Sequence, residues 1–321
     1  MIKKCIFCLC VVLIGFCSCR PNDDPTKGQD LVVYGTIFTA EQDPAGQPVM
    51  VEAMVIRGGK YVYVGSRAGA EPYIKKSMSV VEHPYGLIMP SCTDGHAHYI
   101  YGFTRDLVGI VFTEDDYKKD ILSKIEQAAK EPQNYIFGSG WELKNLIDDM
   151  ITRQDLDAIC PNKAVFINDS EVHKALVNTR CLVEAGILSE DGRLIKKSIV
   201  GGKIELDADS MPTGFLSEQA NTYVRAHVPG LGALVTESVA LTAIEQMQQH
   251  LLSQGYTAYM DGWGNQWYND VYVRALHNLD KENKLHLNVG MSYEIESWAY
   301  EQLEAELNKA QDWVSAYSSK H

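Results

Sequence analysis

From residue 86 onward, short β-branched and aromatic runs alternate with segments of helical period. This alternation constrains the fold more than any other feature. Strand–helix–strand repeats bury each strand beneath a helix and point to parallel α/β architecture. The strand-like runs are NYIFGSG (134–140), KAVFIND (163–169), YTAYMDG (256–262) and KLHLNVGMSY (284–293). In the last, Leu285, Leu287, Val289 and Met291 fall on one side. Thr113 followed by Asp116 reads as a capping-box start, with Tyr117, Ile121, Ile125 and Ala128 at helical spacing and Pro132 as the stop. Further helices are expected over 152–159, over 173–185 up to Gly186, through Ala240, Ile244, Met247 and Leu251, near 268–279, and over 297–318. Residues 190–232 read as irregular. About five strands are legible where a closed (β/α)8 barrel needs eight. An open sheet and an incomplete barrel both fit.

Residues 31–88 follow another pattern. LVVYGTIFT is strand-like, and AMVIRGGKYVYVGS reads as two strands around Gly58-Gly59, a hairpin signal. A small β domain over 31–88 is therefore expected before an α/β domain over 89–321. The apolar run GLIMP (86–90) reads as a buried strand leading into the second domain.

The chain starts MIKKCIFCLCVVLIGFCSC. Two lysines precede an apolar stretch too short to span a bilayer, as in a secretory signal. Phe16-Cys17-Ser18-Cys19 resembles a bacterial lipobox. Residues 1–19 are thus expected to be a lipoprotein signal peptide, with Cys19 lipidated and residues 20–30 a tether. That places the protein in the bacterial cell envelope, lipid-anchored, as a periplasmic or outer-membrane lipoprotein; plain secretion is the alternative. Five of the eight cysteines lie in this segment, leaving Cys92, Cys160 and Cys181, which make no disulfide framework. The net charge of -13 and the absence of a basic stripe argue against nucleic acid as a partner.

The chemistry-bearing stretch is IMPSCTDGHAHYIYG (88–102). On a strand, Asp94, His96 and His98 project to one side. Two imidazoles and a carboxylate suit zinc or a similar divalent ion. On spacing alone, two histidines capping a strand against backbone carbonyls are the stronger reading, since a complete metal site needs three or four ligands and only two are adjacent here.

The stretch resembles the first metal-binding strand of the amidohydrolase superfamily. The hairpin MVIRGGKYVYVGS resembles that family's small β domain. GSGWEL (138–143), PNKAVFINDSEVHKALVNTRCLVEAGI (161–187), PTGFLSEQA (212–220) and GYTAYMDG (255–262) are similar to the branch of N-substituted formamide deformylases. Ser91 and Thr93 depart from the family's glycine and apolar residue, both away from the ligand positions. The resemblance implies an incomplete (β/α)8 TIM barrel and a metal-dependent hydrolase of non-peptide, amide-type C–N bonds. It implies a divalent metal, zinc, on His96 and His98, and a small-molecule amide-type substrate touching Trp141 and His173. The family's later lysine, histidines and catalytic aspartate find no match, so no catalytic residue is assigned. The chain is expected to be the N-terminal part of such an enzyme, weakly active or inactive without a missing C-terminal half. Two other readings stay open: a lipid-anchored ligand-binding protein without catalysis, and a non-functional gene remnant. Glu218 fits either a pocket residue or a solvated helix start, and Asp261 either a barrel mouth or a helix N-cap.

Overall fold

The computed structural model describes residues 30–146, 148–262, 266–295 and 302–318. The signal peptide, Cys19 and nearly all of the tether lie outside the described residues, as does the start of the helix expected from 297. The chain divides into two units, Met1–Pro90 and Ser91–His321.

In the first unit, β1 (Leu31–Gln42), β2 (Pro48–Arg57), β3 (Lys60–Gly65) and β4 (Ser79–Ile88) form a sheet of order β3-β2-β1-β4, with the short helix α1 (Arg67–Ala70) after β3. The hairpin is as the dipeptide predicts. Arg57 pairs with Lys60, and Gly58 and Gly59 have φ of 57° and 72°. A two-residue turn of this kind needs positive φ at both centres, which glycine adopts without a Cβ clash. Val32, Ala53, Val55, Ala70 and Met78 make the small core. GLIMP differs from expectation. Gly86, Leu87 and Ile88 finish β4, and Leu87 and Met89 are half exposed. An apolar run signals burial only when a layer covers it, and β4 pairs in this sheet with β1.

The second unit runs β5 (Cys92–Ala97), α2 (Tyr99–Val108), β6 (Ile110–Val111), α3 (Lys118–Ala128), β7 (Tyr135–Trp141), α4 (Arg153–Ile159), β8 (Ala164–Asp169), β9 (Lys174–Val177) and α5 (Thr179–Glu184). It continues with β10 (Gly202–Leu206), β11 (Pro212–Glu218), α6 (Gln219–His227), α7 (Pro229–Gly232), α8 (Glu237–Ser253), β12 (Tyr256–Asp261), α9 (Gln266–Lys281), β13 (Asn288–Met291) and α10 (Leu303–Tyr317). The architecture is α/β, but its strands do not form one sheet. β5, β12 and β13 make a parallel sheet of order β13-β12-β5. The segment between β5 and β12 builds a separate sheet of order β10-β11-β9-β8-β7-β6, parallel from β6 to β8 and antiparallel from β8 to β10. Periodicity reports that a segment is a strand, not which strand it pairs with.

Three local expectations shift. Helix α3 begins at Lys118. Thr113 and Asp116 instead close a turn before it, the Asp116 carboxylate accepting the Thr113 N–H at 2.7 Å. Residues 173–185 split. Lys174–Val177 is a strand between β8 and β11, and only Thr179–Glu184 is helical, because Asn178 caps the helix there by accepting the Cys181 N–H. The irregular stretch 190–232 contains β10, β11 and α6. One apolar cluster contains Phe166, Ala175 and Val177 of the larger sheet, Val224 of α6, Ile244 and Met247 of α8 and Tyr259 of β12. Among the described residues Cys92, Cys160 and Cys181 are free thiols, and no helix is long and apolar enough to cross a membrane.

Candidate functional site

Parallel strands gather functional side chains at their carboxyl ends, where the connecting loops open. His96 is near the end of β5, and His98 follows it as the N-cap of α2. Their rings meet edge to face, with centroids 5.1 Å apart. The neighbouring strand β12 puts Asp261 beside Ala97, and the Gly262 N–H donates to the Ala97 carbonyl at 2.9 Å. That register brings the buried Asp261 carboxylate to 3.9 Å from His98 Nδ1. A Cβ on Gly262 would lie 2.5 Å from the His96 ring, so glycine is what lets the ring rest against this chain.

The pair opens into a cleft of about 360 Å³ lined also by Tyr101, His173, Glu218 and Glu294. His173 comes from the turn between β8 and β9, and Glu218 from the junction of β11 and α6. His173 Nδ1 and Glu218 Oε2 are 3.0 Å apart. The Glu218 carboxylate raises the basicity of His173 above that of an ordinary imidazole. His98 shifts the other way: burial disfavours its cation first, and the neighbouring His96 and His173 add to this. Behind Tyr101, the guanidinium of the buried Arg225 lies 5.3 Å from the Tyr101 ring and donates to its hydroxyl at 3.3 Å.

Two residues at this cleft hold backbone conformations unusual for their type. Val172 has φ of 65° and Glu218 has φ of 52° with ψ of -129°. Conformations of this kind cost about 1–3 kcal/mol each for residues with a Cβ.

The four sequence-assigned site residues therefore separate. His96, His98 and His173 share the cleft; Trp141 does not. Trp141 is completely buried, donates its indole N–H to the Ile167 carbonyl at 3.2 Å and meets Phe215 edge to face. Gly140 before it has φ of 108°, and a Cβ there would lie 2.4 Å from the Phe112 carbonyl. The β7–β8 register slips between Ser139 and Trp141, and the indole sits in the core with Ile121, Ile125 and Leu146. The expected substrate contact at Trp141 is corrected to a packing role. Asp94 also leaves the expected trio. Its carboxylate accepts the His96 N–H at 3.0 Å and the Tyr99 hydroxyl at 2.8 Å, which holds the strand end and keeps Asp94 acidic. Tyr101, Glu294 and Arg225 carried no sequence signal, and Glu218 carried only an ambiguous one.

As a metal centre the donor set is partial. Two imidazoles on one strand end suit a divalent ion, but such ions take three or four protein ligands. Among the described residues no group of three or more His, Cys, Asp or Glu could hold one. The pair fits part of a ligand set.

Residues 86–320 match the model of the Amidohydrolase family. The chain belongs to the amidohydrolase family. It is 26% identical over 284 residues to the protein LONG AFTER FAR-RED 3 of Arabidopsis thaliana, covering 84% of this chain and 45% of that protein. It is 27% identical to the putative amidohydrolase YtcJ of Bacillus subtilis (strain 168), covering 72% of this chain and 42% of YtcJ. It is 24% identical over 173 residues to the N-substituted formamide deformylase of Arthrobacter pascens, covering 53% of this chain and 31% of that enzyme. Among solved structures, an uncharacterized metal-dependent hydrolase from Pyrococcus horikoshii OT3 shares the fold with a TM-score of 0.56 at 23% identity, over 85% of this chain and 50% of that one. The chain spans about half the length of the curated relatives it matches. Within this amidohydrolase, then, the cleft at the His96–His98 strand end is the candidate active site.

Proposed function

We propose that this amidohydrolase hydrolyses amide-type, non-peptide C–N bonds of small molecules at the cleft beside β5. The observation that carries this is the meeting of His96 and His98 at the end of a parallel strand, open to a cleft with His173 and Glu218. In this reading β5, β12 and β13 are the first strands of a (β/α)8 barrel, and residues 89–321 form its N-terminal part, following the small β domain over 31–88 in the sequence. His96 and His98 would hold one divalent metal, zinc by the chemistry of imidazole donors, as part of its ligand set. Such an ion, when bound, would supply Lewis-acid chemistry: polarisation of a carbonyl and a more acidic bound water. The chain's own residues do the rest. Gly262 leaves room for the His96 ring, and His173 offers a hydrogen bond to the bound amide.

The chain spans half the length of its relatives. Because the described donor set is only part of a ligand set, we propose that the remaining ligands and the proton-transfer group are supplied by a C-terminal half, and that this chain alone is weakly active or inactive. Lipidation of Cys19 would hold it in the bacterial cell envelope; a Cys19→Ala variant should leave the membrane fraction.

The deciding experiment is metal analysis of the purified chain with a hydrolysis assay on N-benzylformamide. Bound zinc that drops to background in His96→Ala supports the metal reading. A vigorous zinc-dependent rate from the chain alone would sink the half-enzyme reading. A second reading draws on the partial donor set: a lipid-anchored binding protein that takes the same ligand without cleaving it. Probe binding with no metal and no turnover would favour it.

A further inference from the structure

His173 and Glu218 come from separate elements and meet in the same cleft as His96 and His98. Both side chains are more than half exposed, at 63% and 58%. An ion pair that exposed contributes little to stability. The backbone beneath it is nonetheless held in costly conformations at both ends. Val172, a β-branched residue, precedes His173 with φ of 65°, and Glu218 itself occupies a region essentially reserved for glycine. Hydrogen bonds pin both. The side chain of the buried Asn221 donates to the Val172 carbonyl at 2.8 Å, and the Glu218 N–H donates to the His173 carbonyl at 2.9 Å. A weak surface pair does not account for strain at two places. Strain of this kind persists where the surrounding structure over-determines it, and it clusters at ligand sites.

The chemistry of the pair gives it a use. A carboxylate on Nδ1 fixes the proton there and orients the ring, as outer partners do for functional imidazoles. It also favours the charged imidazolium, whose Nε2–H is a donor for an oxygen. We propose that Glu218 is a positioning residue: it holds His173 so that Nε2–H donates to the acyl oxygen of an amide bound in the cleft. This rests on the amide-hydrolase reading above and adds Glu218 to its site.

The test uses the whole chain, with N-benzylformamide as probe and three variants, Glu218→Gln, Glu218→Gly and His173→Gln. Probe binding is followed by the imidazole nitrogen signals in NMR, with the His173 signal assigned by its loss in His173→Gln. Zinc content and urea midpoint are measured on the same samples. The expected result is a His173 signal that shifts with probe in the wild type, and affinity about tenfold weaker in all three variants. Zinc content should stay as in the wild type. Glu218→Gly should keep a urea midpoint at or above the wild-type value, because glycine adopts that backbone without strain. A merely structural Glu218 would show the reverse, a lower midpoint in Glu218→Gly with affinity unchanged. Unchanged affinity in Glu218→Gln overturns the inference, and so does a His173 signal that ignores the probe. Failure of the wild-type chain to bind the probe overturns it too. Zinc uptake lost in His96→Ala would still support the metal reading in that case, so the two failures are distinguishable.

Discussion

Gly262 shows how one missing Cβ shapes the candidate site. It follows a buried aspartate and leaves the space that the His96 ring occupies. The ring is exposed, so it can swing away if crowded. Gly262→Ala is therefore expected to change stability by less than about 1 kcal/mol. On the proposed metal reading it should weaken binding of a divalent ion by roughly tenfold or more, as disturbed ligand orientation does elsewhere. Calorimetric zinc titration of the variant against the wild type checks this. Affinity unchanged by the substitution would mean that His96 is not held where a ligand must be. A tight glycine also stands before Trp141, where the β7 register slips against β8 and the large side chain lies in the core.

At the scale of elements, Asn178 decides where β9 ends and α5 begins. Its amide oxygen accepts the N–H of Val165 and of Cys181, each at 3.0 Å. Its amide nitrogen donates to the carbonyls of Cys160 and Lys163 at 2.8 and 2.9 Å. The side chain is completely buried. It thus ties the helix start to the edge of β8 and to the loop before it. Replacing Asn178 by alanine removes a cap and strands buried polar groups, with an expected loss of about 3 kcal/mol. Urea unfolding followed by circular dichroism measures it. A loss below about 1 kcal/mol would show that water or a local shift replaces these bonds. Sequence reasoning placed Asn178 inside a single helix over 173–185. KALV fits a strand or a helix turn equally well, and only the pairing with β8 and β11 separates them.

At the scale of the molecule, the second unit should not be uniformly stable. β8 is buried along all six residues and pairs on both sides, with β7 and with β9. β13 pairs, among the described residues, with β12 alone, and its residues are half exposed. Amides of β8 are expected to exchange more slowly than those of β13 by at least about two orders of magnitude. Hydrogen exchange read by mass spectrometry tests this, and equal protection of the two strands would contradict it.

What the sequence determined by itself follows from local rules. The Gly58-Gly59 hairpin, the helix capped at Thr152, the strands β7, β8 and β12 and the long helix α8 depend on turn chemistry, capping and hydrophobic period, all of which act within a few residues. The His96-x-His98 pair was legible for the same reason, since alternation on a strand is a local property. Tertiary structure decided the rest. The division of the later strands into two sheets depends on pairing between distant segments, which no local period encodes. The burial of Trp141 depends on a register slip against β8. The junction of His173 with Glu218 spans 45 residues and rests on the pairing of β9 with β11. Local interactions choose the elements; burial and strand register choose which side chains meet, and in this protein the candidate site is made where they meet.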